Sequence, residues 1–279
     1  MITFPCAKIN LGLNIVGLRD NGYHNLETVF YPIPLHDTLE ICEMDDLFPS
    51  IDSCDLKTTG SIIEGNEKDN LVLKAYRLLA QDFELPRIHT HLYKHIPSQA
   101  GLGGGSSDAA FMIRLLNDHF QPNISSSEMI KYASQLGADC AFFITSEPSY
   151  ATGIGDELYP IEELKEKLQG YYLSLVKPDV AVSTKEAFAE IECKHPEKCC
   201  KDIVLQPIDT WKEELVNDFE GPVFKGYPIL RQIKEQLYQQ GAAYAAMSGS
   251  GSAIYGIFKN KPTDIETCFS DCFTTVLSL

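Results

Sequence analysis

Residues 97–110 read PSQAGLGGGSSDAA, and the apolar run FMIRLL follows at once. Four glycines fall within positions 101–105, two serines come next, and the run after them has helical spacing. A helix N-terminus presents N–H groups without intrahelical partners and a partial positive charge, so a glycine-rich approach lets bare backbone close around an anion. Glycine admits positive φ and removes side chains that would hold a phosphate away, while Ser106 and Ser107 can add hydroxyl donors or reach a phosphate-bound Mg2+. Neither better-known phosphate pattern fits. No lysine follows Gly105, as G-x4-G-K-[ST] requires, and Ser106 stands where the last glycine of G-x-G-x-x-G belongs.

Outward from this loop, strand and helix patterns mix in the manner of an α/β or α+β chain. A short strand, RIHTHLYKHI (87–96), runs into the loop, and the helix after it extends to about Asn117. Residues 125–137, SSSEMIKYASQLG, pair Ser125 with Glu128 in capping-box spacing and close on Gly137. Asp139 therefore sits just past a helix end, before the apolar AFFI. Upstream, 69–83 repeats apolar positions as an amphipathic helix.

Near the start, CAKINLGLNI (6–15) alternates strictly, with Ile9, Leu11, Leu13 and Ile15 on one face and Lys8, Asn10, Gly12 and Asn14 on the other. This predicts a half-buried strand whose polar face meets solvent. Lys8 and Asn10 at i and i+2 also stand roughly 6.5–7 Å apart, a spacing that can grip a small polar ligand from two points. An Asn-Gly turn signal in DNGYHNL then precedes Tyr23 and His24.

Residues 147–170 look like a change of unit, which divides the chain into 1–152 and 153–279. Beyond it come a strand at 171–178, a helix at 183–191, a clear helix at 228–241, two apolar strands around SGSGS (248–252) and a final weak segment.

Composition narrows the function classes. The 279 residues suffice for one large or two medium domains, and 44% of them are apolar. With 39 acidic against 23 basic residues the net charge is −16, the wrong sign for non-specific grip on a polyphosphate backbone, so no nucleic-acid partner is expected. The first residues place Lys8 inside the apolar stretch and lack an A-x-A-like cleavage site, and no run reaches the ~18–20 apolar residues that span a bilayer. The chain reads as cytoplasmic, without a membrane partner.

Nine cysteines, an odd number without framework spacing, read as reduced thiols. CKHPEKCC gathers Cys193, His195, Cys199 and Cys200, but C-x-H-x3-C-C fits no common zinc pattern and reads as a polar loop. No protein-held metal is expected.

Three stretches together, PCAKINLGLNI, IPSQAGLGGGSSDAA and AAMSGSGSAIYGIF, resemble in order and separation the three motifs of the GHMP kinase superfamily, which includes galactokinase, homoserine kinase, mevalonate kinase and phosphomevalonate kinase. NGYHNLETVF, LGADCAFFI and NDFE extend the resemblance over nearly the whole chain, toward the branch acting on a cytidylyl alcohol. The 193–200 segment has no counterpart there, and Ser98, Gln99 and Ala100 stand where relatives often carry more glycine.

The resemblance implies an α+β fold of two domains. The N-terminal one (1–152) is α/β with a left-handed βαβ unit and carries ATP; the C-terminal one (153–279) is ferredoxin-like and lies on the substrate side. It implies ATP as co-substrate, Mg2+ bound mainly through ATP, and a small-molecule substrate, 4-diphosphocytidyl-2-C-methyl-D-erythritol, phosphorylated on its 2-hydroxyl in non-mevalonate isoprenoid precursor synthesis. Monomer and homodimer both remain open.

By motif position Asp139 matches the catalytic base and Lys8 its electrostatic partner, since a nearby lysine keeps a carboxylate ionised and able to accept a proton. Pro97, Ser98, Gln99, Ala100, Gly101, Leu102, Gly103, Gly104, Gly105, Ser106 and Ser107 match the ATP phosphate loop, with Asn70 and Lys94 bordering the adenosine. Asn10 matches a contact near the reacting hydroxyl. Tyr23 and His24 match a base-stacking ring and an edge-bonding histidine, the way a protein reads a single base. Lys185 and Phe188 are candidates for the opposite wall, and Ser248, Gly249, Ser250 and Gly251 of motif three would pack against the loop. A non-transferring nucleotide sensor would be expected to lack Asp139 or Lys8, and a kinase for mevalonate or homoserine would not need the Tyr23-His24 pair.

Overall fold

A computed structural model describes residues 1–279 except Asn21, Ile63, Glu64, Glu192, Lys194 and His195, with backbone alone for Ala189. The described residues gather into two compact units. The first comprises 1–7, 35–98 and 103–146; the second comprises 8–34, 99–102 and 147–279. The contiguous halves 1–152 and 153–279 are therefore not the compact units, because the chain passes from one to the other several times. The last passage, at 146–147, falls close to the expected boundary.

The first unit holds strands β1 (Ile2–Thr3), β4 (Thr38–Glu43), β5 (Cys54–Gly60) and β6 (Ile88–Lys94) in the order β1-β4-β6-β5. β5 and β6 are parallel, Cys54 opposite Ile88 through Gly60 opposite Lys94, and helix α1 (Leu71–Leu79) makes the crossover. Asn70 starts α1 by accepting from the Val72 N–H at 2.9 Å. Val72, Leu73, Ala75, Tyr76 and Leu79 form its buried stripe, the expected amphipathic face. Helices α2 (Gly104–Phe120) and α3 (Ser126–Leu136) complete the unit, and α3 carries the complete capping box of Ser125 and Glu128.

In the second unit, β9 (Tyr172–Lys177), β10 (Tyr244–Met247), β11 (Ile254–Phe258) and β12 (Phe273–Ser278) form an antiparallel sheet ordered β10-β11-β9-β12. Helices lie between β9 and β10 and again between β11 and β12, a β-α-β-β-α-β ferredoxin-like arrangement. Helix Pro228–Gln239 buries Leu230, Ile233 and Leu237 in a core with Ala245, Met247, Ile254 and Phe258. The weak final segment is thus a paired strand, β12 against β9; its half-exposed edge position explains its faint apolar signal. A further sheet runs in the order β2 (Cys6–Leu18), β3 (His24–His36), β7 (Ser149–Thr152), β8 (Glu157–Pro160).

β2 corrects one expectation. Its polar face is as buried as its apolar face, with Lys8 at 3% and Asn10 at 2% exposure. Neighbours replace water as hydrogen-bond partners: Asn10 donates to Thr28 Oγ1 at 3.0 Å and Asn14 to Glu27 Oε1 at 2.8 Å. Burial of polar groups is tolerated only on those terms.

Candidate active site

In the second unit, Lys8 and Asn10 are brought together. Lys8 Nζ donates to Asn10 Oδ1 at 2.7 Å and lies 5.1 Å from the centroid of the Phe30 ring. The Asn10 carbonyl accepts from Tyr255 Oη at 2.7 Å, and the Lys8 N–H donates to the Leu102 carbonyl at 3.0 Å. This last bond ties the glycine loop directly to β2.

The first half of that loop lies along motif three. Ala253 N–H donates to the Ala100 carbonyl at 3.2 Å, and Ser248 Oγ donates to the Gly101 carbonyl at 2.9 Å. At φ +72°, a Cβ on Gly101 would stand 1.9 Å from the Ser248 carbonyl oxygen, so only glycine allows the two backbones to approach this closely. A Cβ on Gly249 would meet Asn10 Oδ1 at 3.5 Å, which places the motif-three turn beside the Lys8–Asn10 pair. Ser250 Oγ lies 3.1 Å from Thr184 Oγ1, at the start of the Thr184–Ala189 helix that carries Lys185 and Phe188.

The aromatic residues assemble within this unit too. His24 and Phe188 stack with centroids 4.8 Å apart and planes at 18°, and Phe188 meets Phe219 edge-on at 4.8 Å. Tyr23 projects alongside in sequence, 62% exposed, and Lys185 is exposed. Deeper in, Glu27 accepts from Asn14, from Tyr150 Oη at 2.7 Å and from the Cys200 N–H at 3.3 Å. Cys200 is buried in that network, its thiol pushed well up by burial; Cys193 is exposed, and His195 lies outside the described residues. Among the described residues no three His, Cys, Asp or Glu side chains are grouped to hold a metal.

In the first unit, Gly103 is the N-cap of α2 at φ +70°, with no side-chain cap. Gly103 therefore offers no side chain to the first-turn donors of Gly104, Gly105 and Ser106. Ser107 is fully buried, and among the described residues neither its Oγ nor Asp108 Oδ1 has a hydrogen-bond partner. Cys140, next to Asp139, is buried, which pushes its thiol up to about 11 although the Ser106 hydroxyl bonds to it. That bond brings the Asp139 segment to the start of α2. Asp139 itself is half-buried in the single 3-10 turn Ala138–Cys140, directly after Gly137 closes α3. Ser98 is exposed and donates to the Ile62 carbonyl at 3.3 Å.

Lys94, expected to border the adenosine, is enclosed by two carboxylates. It is 4% exposed, and its ammonium is held by Asp37 and by Asp108 Oδ2, the latter at 2.7 Å. Asp37 Oδ1 also accepts from the His95 and Ile96 N–H groups at 2.6 and 2.8 Å. Burial pulls the Lys94 pKa down, but Asp108 and Asp37 outweigh it and hold it above the ordinary value. Burial pushes Asp108 up to about 7, against the pull of Lys94. A Cβ on Gly104 would lie 3.4 Å from Lys94 Nζ, so the ammonium sits against the beginning of α2. Asn70 is likewise engaged, as the cap of α1.

Sequence reasoning assigned no role to Asp37, Asp108 or Asn217. Asn217 is 4% exposed and donates from Nδ2 to the carbonyls of both Met247 and Gly249. NDFE was its only signal, and a polar residue in a connection does not disclose which distant carbonyls it meets.

Comparison with known proteins identifies the family. The model described as GHMP kinases N terminal domain matches residues 70–147, and that described as GHMP kinases C terminal matches 201–269. A Bacteroides thetaiotaomicron protein named 4-diphosphocytidyl-2-C-methyl-D-erythritol kinase is 55% identical over 96% of this chain and 95% of its own. A crystal structure of 4-(cytidine 5'-diphospho)-2C-methyl-D-erythritol kinase superposes over 100% of both chains with TM-score 0.80 at 26% identity. The mevalonate kinase of Methanococcus jannaschii, at 16% identity and TM-score 0.71 over 100% of this chain and 98% of its own, shares the fold. No described helix is long and apolar enough to cross a membrane. The chain is a small-molecule kinase and belongs to the GHMP kinase family.

Proposed function

We propose that this protein transfers the γ-phosphoryl group of ATP to the 2-hydroxyl of 4-diphosphocytidyl-2-C-methyl-D-erythritol, giving the 2-phosphate and ADP. The observation that carries the substrate assignment is the 55% identity, over nearly the full length of both chains, to a relative of that name.

Phosphoryl transfer needs positioning, charge neutralisation and a group to take the hydroxyl proton. In this reading Asp139 is the base. Lys8 stabilises the carboxylate and the charge that develops on the transferring group, and Asn10, bonded to Lys8, orients the hydroxyl. The backbone of 97–107 cradles the phosphates, with the open first turn of α2 supplying donors. Ser248, Gly249, Ser250 and Gly251 hold the loop from behind.

Lys94 contributes through its positive charge under the start of α2 rather than as a hand on the adenosine, while Asn70 shapes the nucleotide side by starting α1. Mg2+ would be held mainly by ATP oxygens and would supply charge neutralisation there. Tyr23 offers a ring for the cytosine. His24, stacked on Phe188, offers an imidazole edge, and Lys185 a charge for the diphosphate.

The test is ADP release with ATP and Mg2+ against diphosphocytidyl-methylerythritol, mevalonate and homoserine. Turnover with the first alone is the expected result. Turnover with either other alcohol at a comparable rate overturns the substrate assignment, and binding of ATP without turnover on any of them points to a sensor.

A further inference from the structure

Residues 216–218 lie beside β2 as a short parallel bridge. Leu13 N–H donates to the Val216 carbonyl at 2.8 Å, Asp218 N–H to the Leu13 carbonyl at 2.9 Å, and Ile15 N–H to Asp218 Oδ2 at 2.8 Å. From this anchored segment the Asn217 amide reaches the end of β10. Its two N–H bonds go to the carbonyls of Met247 at 2.8 Å and Gly249 at 2.9 Å, and its Oδ1 accepts from the Phe219 N–H at 3.0 Å.

The turn so held is the one that touches both halves of the chemistry in this unit. Ser248 Oγ donates to the Gly101 carbonyl, and Gly249 abuts Asn10. An unbroken set of short contacts thus runs from β2 through 216–218, the Asn217 amide and the 247–249 turn to the glycine loop, and returns to β2 through the Lys8 N–H bond to Leu102.

We propose that Asn217 is a positioning residue for phosphoryl transfer: its amide fixes the 247–249 turn, and through it the glycine loop at Gly101, against Lys8 and Asn10. The inference rests on the kinase reading above. The residue type follows from the geometry, since two divergent donors and one acceptor on a short side chain are what asparagine supplies. Aspartate keeps the acceptor for Phe219 but presents no donor to the two carbonyls when ionised, and serine keeps at most one. Loss of the amide frees a turn that backbone packing at Gly101 transmits directly, and a shift of about 1 Å in a reacting group costs on the order of 100-fold in rate.

The experiment compares Asn217→Ser and Asn217→Asp with Tyr76→Phe. Tyr76 lies in the other unit and donates a part-buried bond to the Pro86 carbonyl at 2.8 Å, so its variant lowers stability without touching either loop. Steady-state kinetics well below the melting temperature should show kcat/KM for ATP reduced about tenfold in Asn217→Ser and at least about thirtyfold in Asn217→Asp. KM for the alcohol should stay within about twofold, and Tyr76→Phe should retain wild-type turnover. Because Ser248→Ala loosens the same tie, Asn217→Ser/Ser248→Ala should lose less than the product of the two single losses.

Asn217 variants as active as Tyr76→Phe at an equal drop in melting temperature, or strictly multiplicative losses in the double variant, overturn the proposal. If Asn217→Asp does not fold, the serine and Ser248→Ala cycle decides. If wild-type protein turns over no alcohol, the kinase reading falls separately. The proposal then stands only if calorimetry shows Asn217→Ser weakening MgATP binding about tenfold relative to Tyr76→Phe.

Discussion

Helix α3 opens on Ser125, whose Oγ accepts from the Glu128 N–H at 3.4 Å while the Glu128 carboxylate accepts from the Ser125 N–H at 3.0 Å. Helix α2 opens on Gly103, in the left-handed region, with no side chain to offer. Both belong to the same compact unit. One helix satisfies its first donors from its own side chains, and the other has no side chain at its N-cap to do so. A self-capped helix makes a firm support, and Asp139 follows just beyond the end of α3. An uncapped one is the proposed receptor for phosphate, and the glycine loop runs into α2.

The largest effect that tests this division is at the support. Asp139→Asn should lower kcat by about 1,000-fold, roughly 4 kcal/mol of transition-state stabilisation, while ATP affinity measured by calorimetry stays near wild type. A loss under about tenfold would remove Asp139 as the base.

At the receptor, Gly103→Ser supplies α2 with the kind of cap α3 already has, at the cost of a left-handed residue with a Cβ. The expected outcome is a rise of about tenfold in KM for ATP with a smaller change in kcat. An unchanged KM would mean that the first-turn donors of α2 are not where the phosphates bind.

Opening the closed helix is the converse. Ser125→Ala should lower the melting temperature by about 2–4 °C, with kcat within about twofold of wild type. A large fall in kcat at unchanged stability would show that the cap does more than hold α3.

The subtlest prediction concerns Asp108, whose carboxyl burial raises to about 7. A raised carboxyl pKa means that the folded state binds the proton more tightly than the unfolded state. This contribution to stability is greatest at low pH and is lost as pH rises from about 4 through 7. Asp108→Asn should flatten the dependence of melting temperature on pH across that window. The same slope in the variant would assign it to another group.

The two helix starts were also unequally legible. The Ser125–Glu128 spacing and Gly137 announce α3 by themselves, because capping is local chemistry within a few residues. The glycine run announces the start of α2 for the same reason. The polar face of β2 was misjudged: alternation says which residues share a face, and nothing about whether that face meets water or Thr28 and Glu27. Lys94 was assigned to the nucleotide by resemblance, which did not disclose that Asp37, 57 positions earlier, and Asp108, 14 positions later, hold its ammonium.

The amino-acid sequence alone indicated most of the elements and the order of the three motifs, and through those motifs a resemblance to the family, with Lys8, Asp139 and the glycine loop as candidate chemistry-bearing residues. The elements and the motif order rest on short-range spacing, and the roles proposed for Lys8 and Asp139 rest on the family resemblance. Tertiary structure alone decided that the compact units are interleaved along the chain, that β12 joins β9, that Lys94 is enclosed by two carboxylates, and that Asn217 clamps the turn behind Gly101. Those outcomes depend on which distant backbone and side-chain groups satisfy one another once water is excluded, and pairings of that range leave no periodic trace in the chain.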